Sequence, residues 1–183
     1  QSVDIYCERQ GVIFWSEPIN ALTNFFFVAI GFYLFIKTFK DKFCILLSLE
    51  LVLIGICSFL FHTFANLTTA ILDIFSILFF SFTYLFLANI RFLNLSYLLS
   101  AFGVIIFIPF SIIVTFSIQF FVGPINGSAF YFSYILLFLV YSIILKKTNY
   151  YVSKNLFLCF ILLLISVILR SIDQNICSTI SIG

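Results

Sequence analysis

Residues 95–121 read LSYLLSAFGVIIFIPFSIIVTFSIQFF. No charged residue interrupts the stretch, and it exceeds the roughly 20 apolar residues that a helix needs to cross a bilayer. A β-barrel strand would alternate apolar and polar residues over about ten positions. This segment is instead apolar on every side, as are Ile77-Leu78-Phe79-Phe80 and Leu136-Leu137-Phe138-Leu139. A chain in lipid must satisfy its backbone hydrogen bonds internally, so the fold class is all-α. Outward from this span, comparable stretches lie at 20–39, 43–64 and 70–90 before it, and at 128–145 and 155–170 after it. The expected architecture is a polytopic transmembrane helix bundle, one domain over residues 1–183. Pro109 is expected to kink the fourth span. The turn Val122-Gly123-Pro124-Ile125-Asn126-Gly127 leads into the fifth.

Composition agrees. Of 183 residues, 63% are hydrophobic, 9% are charged and 28 are Phe. That excludes a soluble globular domain, a disordered tail, a collagen-like fibre and a small disulfide scaffold. A net charge of +2 without a basic run gives no footprint for nucleic acid, so the expected partner is the lipid bilayer. Met is absent and the chain begins at Gln1. The reading that follows is a fragment or a processed chain.

Basic residues set the orientation. Lys37, Lys40 and Lys42, then Arg91, then Lys146, Lys147 and Lys154 follow spans one, three and five. Arg9 and Arg170 lie on the opposite side. The positive-inside rule makes the lysine-rich side cytoplasmic and places the N-terminus outside. Asp4, Glu8, Glu17 and Asp173 then fall in outer segments, with Asp73, His62 and Ser58 near the outer membrane surface. The unusual polar chemistry thus gathers at one end of the helices.

His62 is the only histidine. Ser58 precedes it by four residues, on the same helix face. Asp73 lies eleven residues further on, across a turn over Ala65–Thr69, where it can face back toward His62. Ionisable groups at membrane depth are costly and mark functional sites. The trio reads either as part of a metal site or as an interfacial histidine with a packed serine. One imidazole alone does not make a catalytic zinc site, which takes three protein ligands. In the opening segment, Asp4, Glu8, Glu17 and Asn20 offer the hard oxygens that suit calcium. The alternative is an interfacial segment anchored by Tyr6 and Trp15 with solvated acids. Cys7 and Cys177 both fall in outer segments, where an oxidising compartment permits either a disulfide or two free thiols. Glu50, in mid-span, reads as an ion ligand or as a neutral residue facing a cavity.

Ser58-x-x-x-His62 followed by Asp73 resembles the core of the alkaline ceramidase family. That family sits in a superfamily of seven-helix membrane hydrolases that includes the progestin and adiponectin receptors. The opening residues Asp4, Cys7, Glu8, Glu17 and Asn20, and the stretch Arg170-Ser171-Ile172-Asp173 closing with Cys177, resemble the family as well. Three departures stand out in the opening cluster. One extra residue separates Asp4 from Cys7, Tyr6 occupies the place of a Trp, and Arg9-Gln10-Gly11 replaces an expected Asn.

The resemblance implies a zinc-dependent hydrolase of the amide bond in ceramide-like membrane lipids, releasing a sphingoid base and a fatty acid. His62 would be one zinc ligand. Two further histidines are expected beyond Gly183, on a seventh helix. Asp73 would be the catalytic base and Ser58 a hydrogen-bond donor to the developing oxyanion. A structural calcium would sit on Asp4, Glu8, Glu17 and Asn20. As given, with one histidine, the chain is expected to be inactive. A receptor or signalling protein of the same superfamily is the alternative.

Overall fold

The computed structural model describes residues 3, 6–9, 11, 13–123 and 125–177. All regular elements among them are helical. They are α1 (Pro18–Thr23), α2 (Phe25–Lys37), α3 (Lys42–Phe64), α4 (Leu67–Leu93), α5 (Tyr97–Phe121), α6 (Tyr131–Leu145) and α7 (Tyr150–Ile176), with a short 3₁₀ turn at Ser128–Phe130 before α6. Six segments are long and apolar enough to span a membrane, α1 and α2 together forming the first. Large side chains on them face outward, Ile36 at 71% and Phe120 at 82% exposure. Such outward apolar surface belongs against lipid, which makes this a multi-pass integral membrane protein.

Local chemistry sets the helix ends. The Asp41 carboxylate accepts from the Phe43 and Cys44 amides and starts α3. α3 stops where Ala65 takes a left-handed conformation, φ 41°. Asn66 and Thr69 then cap each other reciprocally, the Asn66 side chain accepting from the Thr69 amide and the Thr69 hydroxyl from the Asn66 amide. This capping starts α4 at Leu67, two residues before the expected turn ends. Ser96 caps α5, which continues through Pro109 without interruption. α7 extends well beyond the expected 155–170, from Tyr150 to Ile176. Asn149 caps its start by accepting from the Val152 amide.

The chain forms two compact units, residues 1–87 with 177–183, and residues 88–176. In the first, α2 and α3 meet at glycines. A Cβ on Gly31 would stand 2.6 Å from Val52 Cγ2 and 2.9 Å from the Ser48 carbonyl. One on Gly55 would stand 2.7 Å from Val28 Cγ2 and 2.9 Å from the Asn24 carbonyl. Small residues are how helices approach closely in lipid, where hydrophobic driving force between them is missing. The second unit is knit by polar contacts. The Tyr141 hydroxyl donates to the Asn89 side-chain carbonyl, Ser111 and Ser133 share a hydrogen bond at 2.8 Å, and the Ser142 and Ser153 hydroxyls each donate to the other's carbonyl at 3.0 and 2.7 Å.

Candidate functional site

The site is built where the opening segment folds against the end of α3. Pro18 occupies the first position of α1, where its missing N–H is no loss. The next two amides, Ile19 and Asn20, donate to the two oxygens of Glu8 at 2.6 and 3.0 Å. Glu8 therefore caps α1 from eleven residues upstream and carries negative charge where the helix dipole favours it. The Cys7–Cys177 disulfide forms, with Cα atoms 5.4 Å apart, and holds the segment from the other side. Of the two thiol states left open by the sequence, this is the one observed. Tyr6 packs its ring 5.0 Å from that of His62.

Glu17 is the hub. Its side chain is 2% exposed, and one oxygen accepts from Arg9 Nε. The other lies 2.5 Å from His62 Nδ1 and 3.5 Å from the Asn20 amide nitrogen. Burial raises the Glu17 carboxyl, but the hydrogen bonds and charges of His62 and Arg9 outweigh it and hold the group below its ordinary value of 4.5. An ionised carboxylate only accepts, so His62 Nδ1 carries a hydrogen toward it, and in the neutral ring Nε2 is the nitrogen open to a ligand. Arg9 does more than pair with Glu17. Its Nη2 donates to the His62 carbonyl at 3.0 Å and its Nη1 to the Gly11 carbonyl at 3.2 Å.

The remaining residues stand on α3 and α4. Ser58 and Asp73 are half-buried and His62 is buried. Thr83 on α4 donates to Glu50 on α3 at 2.9 Å, and Cys57 meets Ser76 seven residues along each helix. The helices thus run antiparallel in fixed register, which sets Asp73 near the level of Ser58. The hydrogen bonds of Glu50 and of His62 to Thr83 and Glu17 lie on separate partners, about three helical turns apart along α3.

Among the described residues, no three His, Cys, Asp or Glu side chains converge as a metal cage. For zinc, the chain contributes His62, and its geometry fits. A metal-binding imidazole characteristically donates its other N–H to a carboxylate, as His62 does to Glu17. For calcium the described residues present no ready cage. All four oxygens of Glu8 and Glu17 are taken by protein donors, and Asn20 turns its amide nitrogen toward Glu17. Asp4 lies outside the described residues. The sequence reading missed Arg9, which it counted only as an outer charge. It also missed Thr83 as the partner of Glu50. That pairing was legible, because Glu50 and Thr83 lie nearly symmetrically about the Ala65–Asn66 turn.

Together these features define a helical membrane protein in which a buried carboxylate orients one histidine at a membrane surface. The chain belongs to the ceramidase family, whose model, described as Ceramidase, matches residues 2–183 and so runs through both units. Comparisons with curated proteins and with solved structures gave no match. Family membership supports a ceramide-hydrolysing role in general, hence a hydrolase acting on amide bonds of a lipid substrate.

Proposed function

We propose that the protein hydrolyses the amide of ceramide-like membrane lipids with zinc, using His62, Ser58 and Asp73. The observation that carries this reading is the Glu17–His62 contact. Such a buried, carboxylate-fixed imidazole with a serine one turn earlier on the same helix is what a metal-assisted amidase needs. When bound, zinc polarises a carbonyl and brings the pKa of a water toward neutrality. His62 would hold it through Nε2, as one of the protein ligands that a catalytic zinc takes.

The chain's own groups have these roles. Glu17 fixes the tautomer and direction of His62. Asp73 takes a proton from the attacking water and returns it to the leaving amine nitrogen as the C–N bond breaks. Ser58 donates to the amide oxygen as negative charge develops there. The products are a carboxylic acid and a free amine, a fatty acid and a sphingoid base. An apolar groove between α2 and α3, lined by Phe25, Val28, Gly55, Ile56, Phe59 and Leu60, suits an acyl chain. The site faces the extracytoplasmic side in this reading. The lysine-rich opposite loops and the disulfide, which persists in oxidising compartments, support that side.

The test is amide hydrolysis by the full-length protein and its Asp73→Asn variant on ceramide in vesicles, with the released sphingoid base read by mass spectrometry. The variant should fold and lose activity by about 10²–10⁴-fold. Near-normal turnover would remove Asp73 from the mechanism. Saturable binding without turnover in the unaltered protein would favour the receptor alternative.

A further inference from the structure

The opening segment gathers carboxylates in a buried place, and that invites a metal. The structure fills the place differently. The Arg9 side chain is 2% exposed and so is that of Glu17. Three nitrogens of one guanidinium reach three acceptors, which are the Glu17 carboxylate, the His62 carbonyl and the Gly11 carbonyl. Glu8 meanwhile caps α1 with both oxygens.

We propose that Arg9 is the resident cation of this carboxylate cluster, folding the opening segment over the end of α3 and holding Glu17 against His62 without calcium. A calcium ion takes about six to eight oxygens at roughly 2.3–2.6 Å. Here every oxygen of the two described carboxylates already accepts from a protein donor, and a second cation on the Glu17 carboxylate would face the guanidinium at close range. Arginine suits the place because its charge is permanent and its donors are fixed in a planar fork. Lysine could put charge there, but it lacks the fork that spans a carboxylate and two carbonyls. Arg9 thereby acts on His62 at two points. It bonds the backbone carbonyl at His62, and it fixes the carboxylate that fixes the ring. It is a positioning residue for His62, and this role stands whatever reaction the site performs.

The first test uses the unaltered full-length protein in detergent. Thermal unfolding is followed by emission of Trp15, the one tryptophan, which lies in this segment and meets Phe59 edge-on at 6.4 Å. Excess EGTA or added calcium should leave the midpoint unchanged, and calcium alone should show no saturable binding by titration calorimetry. A midpoint that falls in EGTA, or stoichiometric calcium binding, would overturn the proposal.

The second test reads the imidazole itself. His62 is the only histidine, so ¹⁵N-histidine labelling gives one pair of ring nitrogens. Arg9→Gln should shift the Nδ1 resonance and lower the unfolding midpoint, and Arg9→Lys should restore only part of either. A folded Arg9→Gln protein with unaltered ring nitrogens would refute the positioning role. If Arg9→Gln does not fold, Arg9→Lys supplies the same comparison.

Discussion

Replacing Glu17 by Gln tests the hub of the site most sharply. The change keeps the shape of the side chain and removes its charge. Arg9 is then left as a buried guanidinium, 2% exposed, without its counter-charge. Breaking a buried pair by removing one partner costs about 3–5 kcal/mol. The same carboxylate also serves His62 and Asn20. Hydrogen bonds to a charged group contribute about 1.5–3 kcal/mol each without adding simply, so both routes point to a loss of several kcal/mol. Unfolding is followed by Trp15 emission in denaturant titrations of the detergent-solubilised protein. The double variant Glu17→Gln, Arg9→Met removes the stranded charge and should recover much of the loss, because apolar replacement of a buried pair is near neutral. Two results would refute the reasoning. One is a Glu17→Gln loss within about 0.5 kcal/mol, the size of a surface change. The other is a double variant whose loss equals the sum of the two single losses, which would mean no coupling.

Three further outcomes follow from the same geometry. Gly55→Ala places a methyl 2.9 Å from the Asn24 carbonyl, which is backbone and must shift. It should destabilise the α2–α3 contact by about 1–3 kcal/mol, and an unchanged thermal midpoint would contradict the close approach. Reducing Cys7–Cys177 opens a loop spanning 170 residues, and the chain-entropy limit for closing it is about 5 kcal/mol. Membrane-held helices restrict the unfolded chain already, so the measured drop in a Cys7→Ser, Cys177→Ser protein should be smaller than that but clear of zero. Acid should release the opening segment. The Glu17 carboxyl sits below 4.5, so its stabilisation is complete above that value and is lost as pH falls through its lowered folded value. Trp15 emission should therefore hold steady from neutral pH down to 4.5 and change below it, whereas release near neutrality would contradict the lowered value.

The spans were legible because lipid demands a simple pattern, long apolar runs with every backbone group satisfied within the helix. Residues 95–121 and 128–145 therefore match α5 and the segment leading through α6 closely. The helix ends were less legible. α7 reaches past Lys154 at one end and past Arg170 and Asp173 at the other, because a helix continues into the interface on backbone hydrogen bonds that hydropathy does not register. The Asn66–Thr69 capping pair was visible in sequence spacing and would have placed the start of α4 correctly. Ser58, His62 and Asp73 were identifiable as rare polar residues at membrane depth. What joins Glu17 to His62 lies 45 residues apart, and what gives Arg9 its place is the fold of an irregular segment. No periodicity encodes either. The carboxylates alone suggested a cation site, and the Arg9 guanidinium is paired with one of them, Glu17.

The most direct test of the zinc reading is the metal content of the full-length protein beside its His62→Ala variant, measured by elemental analysis after purification without added metal. The account predicts close to one zinc per chain in the unaltered protein, a marked loss of zinc in the variant, and loss of ceramide hydrolysis with it. Equal zinc in both proteins, or full hydrolysis by the variant, would contradict the assignment of His62 as a ligand.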